Sequence, residues 1–172
     1  MSEMKLAALL SQRKSPIVDR WLKLLFASYP PETQIFLKKE KDRFDNPVGY
    51  RISQGVKGLY EALLQERAAE EITASLDEIV RIRAIQDFSP SQALAFIFLL
   101  KNVIREELAD ELEEGHLSEE ILELESRIDG LALLGFDVYM RRREKLYDLR
   151  VDEVKNRVSG LLRRTGVTLS NQ

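Results

Sequence analysis

Cysteine is absent from the 172 residues, and with it any disulfide frame, thiolate metal site or thiol nucleophile. Histidine occurs once, as His116, so no pair of imidazoles is available for a metal or a nucleophile–base relay. Glu113-x-x-His116 is half of the motif that di-iron bundles use, but such sites need two copies and two further glutamates. A histidine beside Gly115, where a helix should end, is also a poor haem ligand. No GxSxG elbow and no GxxxxGK[ST] or GxGxxG phosphate loop occurs. The expectation is a non-enzymatic protein with no catalytic residue, no metal ligand and no cofactor.

Long hydrophobic runs are missing as well. The greasiest stretch, Ala93 to Leu100, is eight residues long and is followed at once by Lys101, Asn102, Arg105 and Glu106. A bilayer span needs about 20 apolar residues, so this segment is expected at the centre of a water-soluble bundle, with Phe96, Phe98, Leu99 and Leu100 touching several helices. The N-terminus has an apolar core of only a few residues and no cleavage-like site, which implies no secretory leader and a cytoplasmic location. A net charge of −3 is too small to imply nucleic acid or an anionic membrane as the main partner.

What is present is helical punctuation. Ser15–Pro16, Asn46–Pro47 and Ser89–Pro90 each read as a cap followed by proline in the first turn. Helices are expected from Pro16 to the Pro30–Pro31 stop, over about Glu32–Lys41, from Pro47 past Leu63, over Ser75–Gln86, from Pro90 to about Glu114, and from Ser118 to about Arg164. Gly55 and Gly58 are three apart and offer a smooth face to a neighbouring helix, while Gly130 and Gly135 are the places for a bend in the last helix. No period-two strand, repeat or low-complexity linker is found, so the fold class is all-α, a helical bundle with a long C-terminal helix.

Three features are candidates for function. The first is a polar rim beside the apolar strip: Asn46, Tyr50, Arg81, Arg83 and Gln86, with Phe96 and Phe98 as lining, a candidate small-molecule or anion site. The plainer reading is intrahelical pairing, since Asp77–Arg81 and Arg83–Asp87 are each four apart. The second is charge segregation. Glu106 to Glu125 holds ten acidic residues and no Lys or Arg, and Arg141 to Arg164 holds nine basic against four acidic. Such runs are solvated helix faces, partner surfaces, or an antiparallel pair facing each other. The third is the tail, where Leu146, Leu149, Val154, Val158 and Leu161, with Leu162, approximate a heptad seam that needs a cover: its own bundle, a second copy or a partner.

Two segments, "KDRFDNPVGYRISQG" and "LDEIVRIRAIQDFSPSQALAFIFLLKNVIREEL", with the "IVDRWLKLLFASYP" helix, resemble the RsbRD N-terminal domain family over about residues 10–145. The patterns are F-x-N-P-x-G-Y (Phe44, Asn46, Pro47, Gly49, Tyr50) and R-I-R-A-x-Q-x-F-x-P-S-x-A (Arg81, Ile82, Arg83, Ala84, Gln86, Phe88, Pro90, Ser91, Ala93). The resemblance implies an all-helical bacterial input domain, acting in general stress signalling ahead of STAS or kinase modules or as a stand-alone member. By analogy with RsbR-type relatives it also implies a dimeric, non-haem globin-like bundle. It brings no catalytic residues. The organisation expected is a sensor domain at 1–145 and a helical extension at 146–172. The implied role is a sensor or adaptor that works as a homodimer and passes a stress or metabolic signal to an unidentified protein partner. No STAS or kinase segment lies within the 172 residues, so the last helix is the expected exit for the signal.

Overall fold

A computed structural model of the chain describes residues 3–39, 44–65, 67–113, 115 and 117–165. Among these there are eight helices and no strand: α1 (Glu3–Gln12), α2 (Lys14–Ala27), α3 (Pro31–Lys39), α4 (Pro47–Leu64), α5 (Ala69–Ile85), α6 (Pro90–Glu107), α7 (Ala109–Glu113) and α8 (Ser118–Arg164). The proline starts are where the spacing places them at α4 and α6. Asn46 caps α4 by accepting the Gly49 N–H at 2.8 Å. Ser89 and Gln92 form a reciprocal capping box on α6, which satisfies two of the amide groups that a helix start leaves orphaned.

Ser15 is not a cap. A helix absent from the sequence reading, α1, runs almost directly into α2, whose N-cap is Arg13 without a side-chain bond. Burial of Leu6 and Leu10 holds α1 down and leaves no start to be made at Ser15. The helix expected to reach Glu114 stops at Glu107, and the short α7 follows it. Gly115, at φ +77, takes the left-handed conformation that glycine adopts without steric cost. His116 lies outside the described residues.

The core is one cluster in which α2, α4, α5, α6 and the first part of α8 share Trp21, Leu25, Ile52, Leu59, Leu76, Ile79, Phe96, Ile97 and Ile128. Trp21 is fully buried, stacks on Phe96 at 5.9 Å between ring centroids, and donates its indole N–H to the Phe96 carbonyl at 2.7 Å. The α6 strip is not enclosed on every side, as its composition suggests. Phe98 is 48% exposed, with the Lys101 ammonium 6.0 Å from its ring centroid.

Glycine decides two helix crossings. A Cβ at Gly55 would meet Ile79 Cγ1 at 2.7 Å and the Ser75 carbonyl at 3.2 Å, and one at Gly58 would meet Ser75 Oγ. These residues therefore set the close approach of α4 to α5. A Cβ at Gly135 would press on Leu94 and Ile97, so that glycine seats α8 against α6. The helix assignment of α8 runs unbroken through Gly130 and Gly135 for 47 residues.

Candidate functional site

The polar residues of the two sequence patterns sit in separate places. Asn46 is buried, and its amide donates to the Leu37 carbonyl at 3.0 Å and the Phe36 carbonyl at 3.3 Å. One side chain thus closes the end of α3 and starts α4. Gly49 is required because the folded-back Asn46 side chain occupies the space a Cβ would take. Tyr50 and Arg81 face a shallow depression of about 480 Å³ with Pro47, Arg51 and Glu78. Gln86 is exposed, and Phe96 is packed on Trp21. The structure brings Tyr50 and Arg81 together, and Arg83, Phe96, Phe98 and Gln86 lie elsewhere.

Arg83 is 0% exposed, with no carboxylate beside it. Its guanidinium lies 4.2 Å from the Phe88 ring centroid and 5.0 Å from that of Tyr29, and it donates to Ser28 Oγ and the Gln92 carbonyl, both at 2.9 Å. Such stacking suits a planar, weakly hydrated cation. Nε, Nη1 and the Tyr29 hydroxyl meet no partner in good hydrogen-bond geometry, although the hydroxyl and the guanidinium face each other closely enough to interact. Burial pulls Arg83 below its ordinary pKa, with Tyr29 opposing, and burial pushes Tyr29 up, with the Arg83 charge opposing. The cluster pins the ends of α2 and α5 to the start of α6.

Neither expected intrahelical pair forms. Asp77 pairs with Arg142 of α8, and Asp87 with Arg143 of α8 at 3.1 Å, while Arg81 stays within α5 on Glu78 at 3.6 Å. Arg143 also donates to the Ala84 carbonyl at 3.2 Å, and Tyr139 donates its hydroxyl to the Phe88 carbonyl. A four-residue spacing offers only a weak partner on a solvated surface. Here α8 packs along α5 and brings guanidinium groups to the same carboxylates, Arg142 as a fork on Asp77 and Arg143 through Nη1 on Asp87. Asp87 has φ 59, the one non-glycine residue with positive φ among those described, and its turn is the last point where α8 is held.

The acidic and basic runs do not face each other. Glu106, Glu111 and Glu125 pair with Arg20, Arg13 and Arg105, respectively. The basic run continues along α8 and leaves the bundle.

Beyond Tyr139 no residue of α8 is buried. Tyr147, Val151, Val154, Val158 and Leu161, spaced four, three, four and three, are between 47% and 60% exposed. That spacing places all five on one stripe, the a/d seam of a coiled coil. Val154, Val158 and Leu161 of the sequence-level seam lie on the stripe. Leu149 is exposed on the opposite side, and Leu146 is half-buried on another. Tyr147 and Val151 complete the seam, and their alternating spacing is the signal for them. Higher on the same face, Leu133, Phe136 and Met140 are exposed.

The family described as the RsbT co-antagonist protein rsbRD N-terminal domain matches residues 15–154. The chain belongs to this family. It is a family of stress-signalling input domains, not known as an enzymatic one. The rsbRD N-terminal match takes in the Asn46–Gly49 cap, the Arg83 cluster and the first turns of the exposed stripe. No curated protein and no solved structure matches the chain. Among the described residues no helix is long and apolar enough to cross a membrane, and no group of three His, Cys, Asp or Glu side chains is gathered for a metal.

Proposed function

We propose that this rsbRD N-terminal domain is a non-enzymatic sensor or adaptor that passes a stress or metabolic signal through a protein contact of the C-terminal half of α8. The observation that carries this reading is the bare apolar stripe from Tyr147 to Leu161 on a helix rooted in the bundle. A single exposed apolar side chain is ordinary, whereas five in heptad register on a projecting helix form a seam with one side missing. Arg142 and Arg143 tie the base of the projection to Asp77 and to the α5–α6 turn at Asp87. That turn is also held by Arg83 and Phe88 on its other side. A stimulus that shifts the packing there changes the angle or register of α8, which is the two-state element of the proposal. Pairing of two copies belongs to the same reading, through Leu133, Phe136 and Met140 at the level of the bundle.

The test is affinity purification of the tagged full chain from its own source cells beside the variant Val154→Asp/Val158→Asp. Proteins retained by the native chain and lost from the variant are expected. The same set on both refutes the reading.

One observation favours a second reading, small-anion binding: the guanidinium of Arg83 is buried with no carboxylate beside it, and its Nε and Nη1 lack a well-aligned partner. Thermal denaturation over a panel of chloride, acetate and phosphate tests it, with stabilisation lost in Arg83→Met. No shift with any of the three removes it.

A further inference from the structure

We infer that the missing side of the α8 seam is an acidic helix, a partner strand with glutamate or aspartate along the edges of its own apolar stripe, rather than a second copy of this one. The inference rests on the reading that the α8 projection is a protein contact and names the chemistry of what it contacts.

Charge along α8 is sorted relative to the stripe. The positions bordering it from 148 to 164 are Asp148, Arg150, Lys155, Arg157, Leu162 and Arg164, four basic residues and one acidic. Arg150, Arg157 and Arg164 are seven apart and so form a column along one edge, continuing Arg143 above them. The acidic residues Asp152 and Glu153 fall on the outer face, away from the stripe. The side chains of Arg150 and Arg157 are 59% and 75% exposed; Arg150 lies 3.9 Å from Asp87, a loose surface pair that a partner carboxylate can replace. Among the described residues Arg157 pairs with Glu153 one turn earlier at 2.5 Å, a surface pair that a partner carboxylate replaces at little cost.

Edge residues of a coiled coil meet the partner's edges and set partner choice. In a parallel pair of two copies Arg150 meets Lys155, and Glu144 meets Glu144 in the seam. In an antiparallel pair the arginine column meets itself. Either arrangement sets like charges together, which costs affinity and suppresses that pairing. Acidic edges turn the same contacts into bidentate guanidinium–carboxylate pairs. The helix dipole accounts for cations in the last turn, Arg163 and Arg164. It does not account for Arg157 and Arg150, two and four turns earlier.

The probe is a pair of labelled synthetic helices with valine and leucine at the seam, one carrying glutamate and the other lysine at every edge position, titrated with the full-length protein. The glutamate helix is expected to bind at least about tenfold more tightly than the lysine helix, and to weaken as salt rises from 50 to 500 mM. R150E/R157E/R164E, on a segment with no buried residue, is expected to keep the melting profile of the native chain and to invert the preference. Val154→Asp/Val158→Asp is expected to lose both probes. Equal binding of the two helices, binding of neither, or native protein that sediments as a dimer dissolved by the seam variant overturns the inference. If the probes fail while the seam variant still loses partners from source cells, only the acidic-partner inference falls. If those cells yield no difference, the reading beneath it falls too.

Discussion

α8 is two helices in one. From Ser118 to Tyr139 it buries Ile121, Leu124, Ile128, Leu131, Ala132, Gly135, Val138 and Tyr139 against the rest of the chain, and from Met140 onward no residue is fully buried. The same backbone hydrogen bonds run through both, yet the first part is held by tertiary packing and the second by propensity and side-chain pairs alone. Starting a helix is costly, and most helical stability in proteins comes from tertiary packing, so the projection grows from its rooted half as a nucleus. Burial therefore marks where the domain ends energetically, and the exposed stripe marks where something else must begin.

Mutations sharpen that contrast, the largest effect coming first. Trp21→Ala removes a fully buried ring, its stacking on Phe96 and its bond to the Phe96 carbonyl, and is expected to cost about 3–5 kcal/mol. That is a large share of the 5–15 kcal/mol typical of a domain. Val154→Ala, on the projection, is expected to move chemical denaturation by less than about 0.5 kcal/mol. Similar losses in the two variants would mean that α8 beyond Tyr139 is packed after all.

Arg83→Lys comes next. Lysine keeps the charge but gives up planar stacking between Tyr29 and Phe88 and the fixed fork toward Ser28 and Gln92. A loss of about 2 kcal/mol is expected, measured by urea unfolding. No loss would show that the site needs only a cation.

Glycine gives the contrast with a change of sign. Gly55→Ala drives a Cβ against Ile79 and the Ser75 carbonyl and is expected to destabilise by about 1–3 kcal/mol. Gly160→Ala, with nothing within 4 Å of the added carbon, is expected to raise helix content by circular dichroism, alanine being favoured by about 1 kcal/mol in a helix interior. A fall in helicity there would show the last turns of α8 to be engaged.

The same contrast explains what the sequence could and could not tell. Cap-and-proline pairs are local chemistry, so Asn46–Pro47 and Ser89–Pro90 were readable. Ser15–Pro16 misled because burial of Leu6 and Leu10 extends helix to its doorstep. Ion pairing failed for a related reason: Asp77 and Asp87 have local partners at the right spacing, but α8 brings Arg142 and Arg143, and that crossing is a tertiary fact. Arg83 reads as a rim residue because arginine is seldom fully buried, and only the fold reveals rings on both sides of it. On the projection no tertiary contact intervenes, and there heptad spacing alone recovers Val154, Val158 and Leu161. Leu149 was drawn in because an exposed helix also carries stray apolar residues.

The smallest effect concerns the acid limb of stability in the rooted half. The Arg105 guanidinium hydrogen-bonded to Glu125 holds that carboxyl below the usual carboxylate range, with burial opposing and the charges of Arg105 and Lys101 assisting. A folded-state value below the unfolded one means the pair contributes fully above the ordinary carboxylate range, and the contribution is lost as pH falls through the folded value. Arg105 is half exposed, so salt and water hold the gain to under about 1 kcal/mol. Glu125→Gln is expected to flatten the decline in unfolding free energy on acidification while leaving the neutral region only slightly lower. An unchanged acid slope would mean that the α6–α8 contact owes nothing to this pair and rests on its other contacts, among them Gly135 against Leu94 and Ile97 and the Lys101–Asp129 pair.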